Sequence, residues 1–206
     1  MQLLYSCFPD SKREKEERAV IITSFAHFNT TNMDFSIEKS IEILERTPGV
    51  LKALLQGISD DWAFNNEGEG TWSAYDVIGH LIHGEKTDWI PRIEIILSNN
   101  SDKSFVLFDR FAQFEESRGK SLQQLLDEFD AMRRKNMETL RSKNITTEML
   151  QEKGIHPAFG EVTLSQLLST WVVHDLDHIV QVSRVMVKQY TSAVGPWTAY
   201  LKVLRQ

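Results

Sequence analysis

The chain has 206 residues, with 23 Lys and Arg against 29 Asp and Glu, so its net charge is −6 with histidine neutral. A 41% apolar and 25% charged composition is that of a globular protein and excludes global disorder, and the mild negative charge argues against broad phosphate-driven nucleic-acid binding, which needs clustered Lys and Arg. The single cysteine, Cys7, excludes an internal disulfide framework and a Cys-rich metal site and fits a reducing, cytoplasmic compartment.

Residues 1–32 differ from the rest. An apolar run at 1–8 is followed by the charge run 10–18, a second apolar stretch at 19–28, and Asn29-Thr30-Thr31-Asn32. The charge follows the apolar run instead of preceding it, so no secretion signal is read. No stretch approaches 18 uncharged apolar residues, so no membrane span is expected. Residues 1–32 are read as an N-terminal extension with Met33 as the natural start. Residues 33–206 are read as one domain, because no linker-like break interrupts the middle of the chain.

The first helical pattern covers about 36–55, where Ile37, Ile41, Leu44, Pro48, Leu51 and Leu55 recur at steps of three and four. Pro48 removes an N–H, so a kink or restart is expected, with Thr47 as a local cap. Gly57 ends the pattern, and residues 60–71, rich in Asp, Asn, Glu and Gly, read as a loop. The second helix opens at Ser73, with Asp76 in the capping-box position and Trp72 placed as a staple. It runs to about Leu97, kinked by Pro91. The third opens at Ser121, with Gln124 completing a box and Leu122, Leu125, Leu126, Phe129, Met132 and Leu140 on its apolar face. The fourth opens near Thr163, with Gln166 in the box, and runs to about Tyr190. Residues 191–196 turn, and 197–204 form a short closing helix. No strand pattern competes.

Four amphipathic helices of about 20 residues, each about 30 Å long, bury their faces most economically as an all-α four-helix bundle. The linkers around 57–71, 100–120 and 144–162 let non-adjacent helices become neighbours.

Chemistry concentrates in the histidines. His174 and His178 are four apart in His174-Asp175-Leu176-Asp177-His178. They differ by about 40° around a helix with a rise of about 6 Å, so two imidazoles on one face can share a metal ion. They flank the stripe of Leu164, Leu167 and Val182, and buried imidazole nitrogens need partners, which a metal supplies. An isolated HxxxH pair is a weak motif, since chance pairs on solvated faces are common. His80 follows Gly79 on the second helix, where a glycine lets another helix or a substrate come close. His83 lies about 60° from His80, and either could complete a three-histidine site; His83 reads as a rim residue. His27 and His156 read as structural or solvated. Asp175 and Asp177 read as polar-face residues, with Asp177 able to orient an imidazole. Glu85 is about 140° from His80 and should not share its ligand shell. There is no GxSxG, P-loop, GxGxxG or HExxH.

The run Trp72-Ser73 to Gly79-His80-Leu81, followed by His174-Asp175-Leu176-Asp177-His178, resembles the DinB-like superfamily, and more closely its DinB_2 branch with the bacillithiol-transferase-like proteins. Supporting phrases are Glu45-Arg46-Thr47-Pro48-Gly49-Val50-Leu51 and Gly195-Pro196-Trp197-Thr198-Ala199-Tyr200-Leu201. The resemblance covers about residues 34–204. It implies an up-down-down-up bundle and a divalent metal on His80, His174 and His178. It is the resemblance that selects His80 over His83. It also implies a homodimer and activities that include thiol-dependent S-transfer, maleylpyruvate isomerisation and metal-dependent hydrolysis.

The expected function is that of a divalent-metal enzyme, with zinc, nickel or iron on three imidazoles. It would act on a small molecule as a hydrolase, or as a transferase with a low-molecular-weight thiol as co-substrate. No nucleic-acid or membrane partner is expected. No catalytic residue is singled out. Glu85, Asp88 and His83 become candidate bases where the helix bends toward the pocket. The alternative is a non-catalytic, metal-stabilised stress-response or ligand-binding bundle.

Overall fold

In a computed structural model, residues 33–205 are described. The readings of residues 1–32, Cys7 and His27 lie outside them. Helices α1 (Ile37–Leu44) and α2 (Thr47–Leu55) form the first arm of a bundle, and α3 (Asp60–Phe64) is a single turn in the following connection. The second arm is α4 (Ala74–Thr87) continued by α5 (Trp89–Leu97); α6 (Ala112–Ser117) lies in the long crossover, and α7 (Leu122–Ser142) is the third arm. A hairpin of β1 (Lys153–His156) and β2 (Gly160–Thr163) leads into the fourth arm, α8 (Leu164–Lys188).

Three capping boxes start three of the arms where the sequence places them. Ser73 N–H donates to Asp76 Oδ2 at 2.9 Å, Ser121 N–H to Gln124 Oε1 at 2.7 Å, and Thr163 N–H to Gln166 Oε1 at 2.9 Å. Each box satisfies backbone donors that the first turn leaves without partners.

Arm directions follow from the contacts. Tyr75, at the start of the second arm, donates its hydroxyl to Ser117 O and Lys120 O, just before the third arm begins. These two arms are therefore parallel. Leu164, at the start of the fourth arm, packs with Ile93 and Ile96 at the end of the second and with Leu140 at the end of the third. Ile37, at the start of the first arm, packs against the same cluster. The topology is up-down-down-up.

Apolar side chains form two clusters. One centres on Leu44, Trp89, Ile93, Leu140, Leu164 and Trp171, the other on Leu51, Val77, Leu81, Leu125, Phe129 and Val182. Between them sits a buried polar layer that joins all four arms. Arg133 donates to Glu85 Oε1 from Nε at 3.1 Å and Nη2 at 2.7 Å, to Asp175 Oδ1 at 3.0 Å, and to Leu44 O at 2.7 Å. Asn136 donates to Glu85 Oε2 at 2.9 Å, and the indole N–H of Trp171 to Glu85 Oε1 at 3.3 Å.

Several expectations are corrected. Thr47 does not cap α2: it is the first helical residue, and its hydroxyl reaches back to Ile43 O at 3.3 Å. The kink expected from Pro91 is present, but it lies three residues before the proline itself. The break falls at Asp88 (φ −109°, ψ −68°), because a proline ring clashes with the carbonyl four residues earlier, here Thr87. The 60–71 loop contains α3, which places Trp62 edge-on against Tyr190 at 4.8 Å. The unforeseen hairpin pairs Lys153 with Thr163 and His156 with Gly160. Its strands are four residues each, too short for a periodic signal. They are held by Phe105, whose N–H donates to Ile155 O at 2.9 Å and whose ring fills the space above Gly154. The closing helix is two 3-10 turns, Gly195–Ala199 and Lys202–Arg205. No described helix is long and apolar enough to cross a membrane.

Candidate metal centre

His80 sits mid-way along α4, and His174 and His178 lie one turn apart on α8. The Nε2 atom of His174 is 3.1 Å from Nε2 of His80 and 3.1 Å from Nε2 of His178. Three ring nitrogens from two arms thus converge on one point, and they form the one such cluster of potential ligands among the described residues. Two ligands about 2.1 Å from a tetrahedral ion are separated by about 3.4 Å, close to the observed spacing.

Burial holds these rings neutral. It pushes His80 down to about 3 and His174 to about 2, with the neighbouring His178 adding to both. Burial also lowers His178, opposed by its hydrogen bond to Gln181. Neutral imidazoles offer lone pairs, which is the state a metal needs. The Nδ1 atom of His178 is 2.7 Å from Gln181 Oε1, an acceptor, so Nδ1 carries the proton and Nε2 is free to ligate. Gln181 takes the orienting role considered for Asp177, which is exposed. The Nδ1 atoms of His80 and His174 are buried without hydrogen-bond partners. With the proton on Nδ1, each ring turns an Nε2 lone pair to the same point, so the donor set fits a divalent ion.

Aromatic rings enclose the cluster. Trp72 lies 4.8 Å from the His80 ring, Phe108 meets it edge-on at 5.4 Å, and Trp89 meets His174 edge-on at 5.0 Å. The glycine before His80 admits a helix, not a substrate: a Cβ on Gly79 would collide with Ser117 Oγ on α6. The three histidines line a cavity of about 460 Å³.

The remaining candidates separate cleanly. His83 is no rim residue; it is buried, with Nδ1 2.8 Å from Glu116 Oε1, and stays outside the three-histidine cluster. Glu85 is taken by the Arg133 layer. Asp88 lines the cavity, because the helix break turns its side chain there. It forms an ion pair with Arg92, one turn on, and burial still pushes its carboxyl above the usual range. His156, read as structural or solvated, also lines the cavity. Asp175 is fully buried against Arg133, against the expectation of a polar face. Arg133 and Asn136 were not foreseen at all. Arg133 stands four residues after Phe129 and seven before Leu140, so a charge inside the apolar stripe of the third helix was the available signal.

Comparison with known proteins agrees with this architecture. No curated protein matches the chain. Among solved structures, the fold is similar to YfiT from Bacillus subtilis, described as a probable metal-dependent hydrolase with an unusual four-helix bundle topology. The match has a TM-score of 0.62 at 20% identity and covers 75% of this chain and 89% of that one. The family described as the DinB superfamily (DinB_2) matches residues 43–182, a span that contains all three clustered histidines. With two thirds of its length and its bundle topology in agreement, this chain belongs to the DinB superfamily.

Proposed function

We propose that the chain is a metal-dependent hydrolase acting on a small molecule. The observation that carries this reading is the convergence of three neutral imidazoles, with His174 Nε2 3.1 Å from Nε2 of both His80 and His178, on the wall of a cavity that also holds a carboxylate. His80, His174 and His178 would hold zinc, nickel or iron and leave coordination positions open. Bound there, the ion supplies Lewis acidity and lowers the pKa of a water or a small thiol.

Asp88 is the group assigned to take the nucleophile's proton. It is the one carboxylate among the described residues lining the cavity. Burial raises its pKa toward the range where a general base works best near neutral pH. Trp72, Trp89 and Phe108 keep bulk water from the three rings, which strengthens the electrostatic contacts inside. The description of YfiT as a probable hydrolase favours the hydrolytic reading. Transfer of a low-molecular-weight thiol to an electrophile is the second reading, because a thiol needs less help from a base than water does. Zinc-loaded and chelated protein, assayed on aryl esters and on an aryl halide with thiols, should show turnover in the loaded form only. No turnover in either assay, with the metal site filled, would leave the non-catalytic metal-stabilised bundle.

We further propose a homodimer through the outer face of α8. Val173, Leu176 and Val180 recur there at steps of three and four, with exposures of 64, 45 and 57%. Such a stripe is self-complementary about a two-fold axis. Light scattering should give twice the chain mass; a monomer at micromolar concentration would contradict the assignment.

A further inference from the structure

The cavity beside the three histidines is mostly apolar, and its polar groups are nearly all committed elsewhere. Thr170 donates its hydroxyl to Gln166 O at 2.8 Å, and Gln166 Oε1 accepts the Thr163 N–H of the capping box at 2.9 Å. Asp88 and Arg92 neutralise each other. Arg110 is different. It lines the same cavity and is exposed, and no carboxylate lies within ion-pair distance of it among the described residues. The adjacent carboxylate, Asp109, accepts the Phe111 N–H at 2.9 Å and is thereby turned to its own backbone. One uncompensated positive charge therefore stands at a cavity in a chain whose net charge is −6.

A second donor lines the same cavity. His156 Nδ1 accepts the Ala158 N–H at 3.1 Å, so the imidazole proton is on Nε2. The His156 ring stacks on Phe159 at 4.5 Å with 17° between planes. Phe159, Phe108 and Trp72 supply flat apolar walls. With liquid water occupying about 30 Å³ per molecule, the cavity holds roughly 15 non-hydrogen atoms.

We propose that this cavity selects a small anionic aromatic compound, an aryl carboxylate or a close equivalent. Its ring lies among Trp72, Phe108 and Phe159, and its anionic group pairs with Arg110. The inference rests on the reading of this cavity as the substrate site. Arg110 is here a specificity-determining residue: guanidinium matches a carboxylate through two parallel hydrogen bonds, whereas a neutral amide cannot supply both acceptors.

The test is calorimetric titration of 2-naphthoate, its neutral isostere 2-naphthamide, and acetate. It is made on metal-free protein, so that no ion can ligate the carboxylate, and repeated after loading with zinc. The expected result is naphthoate binding at least about tenfold tighter than naphthamide, with acetate far weaker than both. In Arg110→Gln the preference should shrink to about twofold, with an unchanged melting curve, since Arg110 has no hydrogen-bond or ion-pair partner to lose among the described residues. Equal binding of naphthoate and naphthamide, a preference that survives in R110Q, or no binding of either would overturn the proposal. Zinc stoichiometry on the same preparations separates the two readings. Selective binding without zinc uptake keeps the anion site and removes the metal centre, and zinc uptake without selectivity does the reverse.

Discussion

Arg133→Met is expected to destabilise the protein by about 3–5 kcal/mol, a fall in Tm of roughly 6–20 °C for a chain of this size. The side chain is 1% exposed, and its fork bridges two carboxylates that are equally buried. Removing it leaves Glu85 and Asp175 as like charges in a low-dielectric layer with no cation between them. Methionine fills similar volume, so packing against Phe129 and Trp171, whose rings lie 5.0 and 5.3 Å from the guanidinium carbon, is largely kept. The loss is therefore electrostatic. Replacing all three charged residues with apolar ones of similar volume should recover much of the stability. Glu85 is on the helix of His80, and Asp175 follows His174, so Arg133 also ties together the two helices that carry the three converging histidines. R133M should weaken metal retention by about 10- to 100-fold. Chemical denaturation of the variants beside the wild type checks the first claim. A destabilisation below about 1 kcal/mol would mean that the layer is solvated or protonated in solution.

Asp88→Asn is expected to lower kcat by about 10²- to 10⁴-fold without loss of metal. Asparagine keeps the shape and can still face Arg92, but it cannot take a proton. The sign of the pH dependence follows from burial, which raises the pKa of Asp88 above the ordinary carboxylate range. A general base works only when deprotonated, so wild-type activity should climb as pH rises through that raised pKa and be lost below it. In D88N this limb should disappear and leave a flat residual rate. An unchanged kcat, or an acidic limb that persists in the variant, would remove Asp88 from catalysis.

Much of this architecture is readable from residue order. Ser73, Ser121 and Thr163 announce helix starts through chemistry local to four residues, and a capping box stands at each. The His174–His178 pair is likewise local, since one turn of helix sets its geometry. What joins distant segments was not legible by the same means. Periodicity left His80 and His83 open, and only the resemblance chose between them; the fold brings His80 to the α8 pair and turns His83 to Glu116. The hairpin depends on Phe105 packing above Gly154, some fifty residues away. Asp175 looked solvent-facing because its partner, Arg133, is on another helix. Asp88 reaches the cavity only because Pro91 breaks the helix three residues earlier than the proline itself. These are consequences of tertiary contact, which a single-sequence pattern does not carry.

The measurement that bears most directly on the whole account is metal content by elemental mass spectrometry on untagged protein, beside His80→Ala and His178→Ala. The geometry predicts about one divalent ion per chain in the wild type, with loss in both variants, because each removes one of three converging Nε2 donors. Absence of metal from the wild type, with no uptake on reconstitution with zinc, nickel, iron or manganese, would contradict it: the bundle would stand, and the three histidines would be a neutral polar cluster and not a reaction centre.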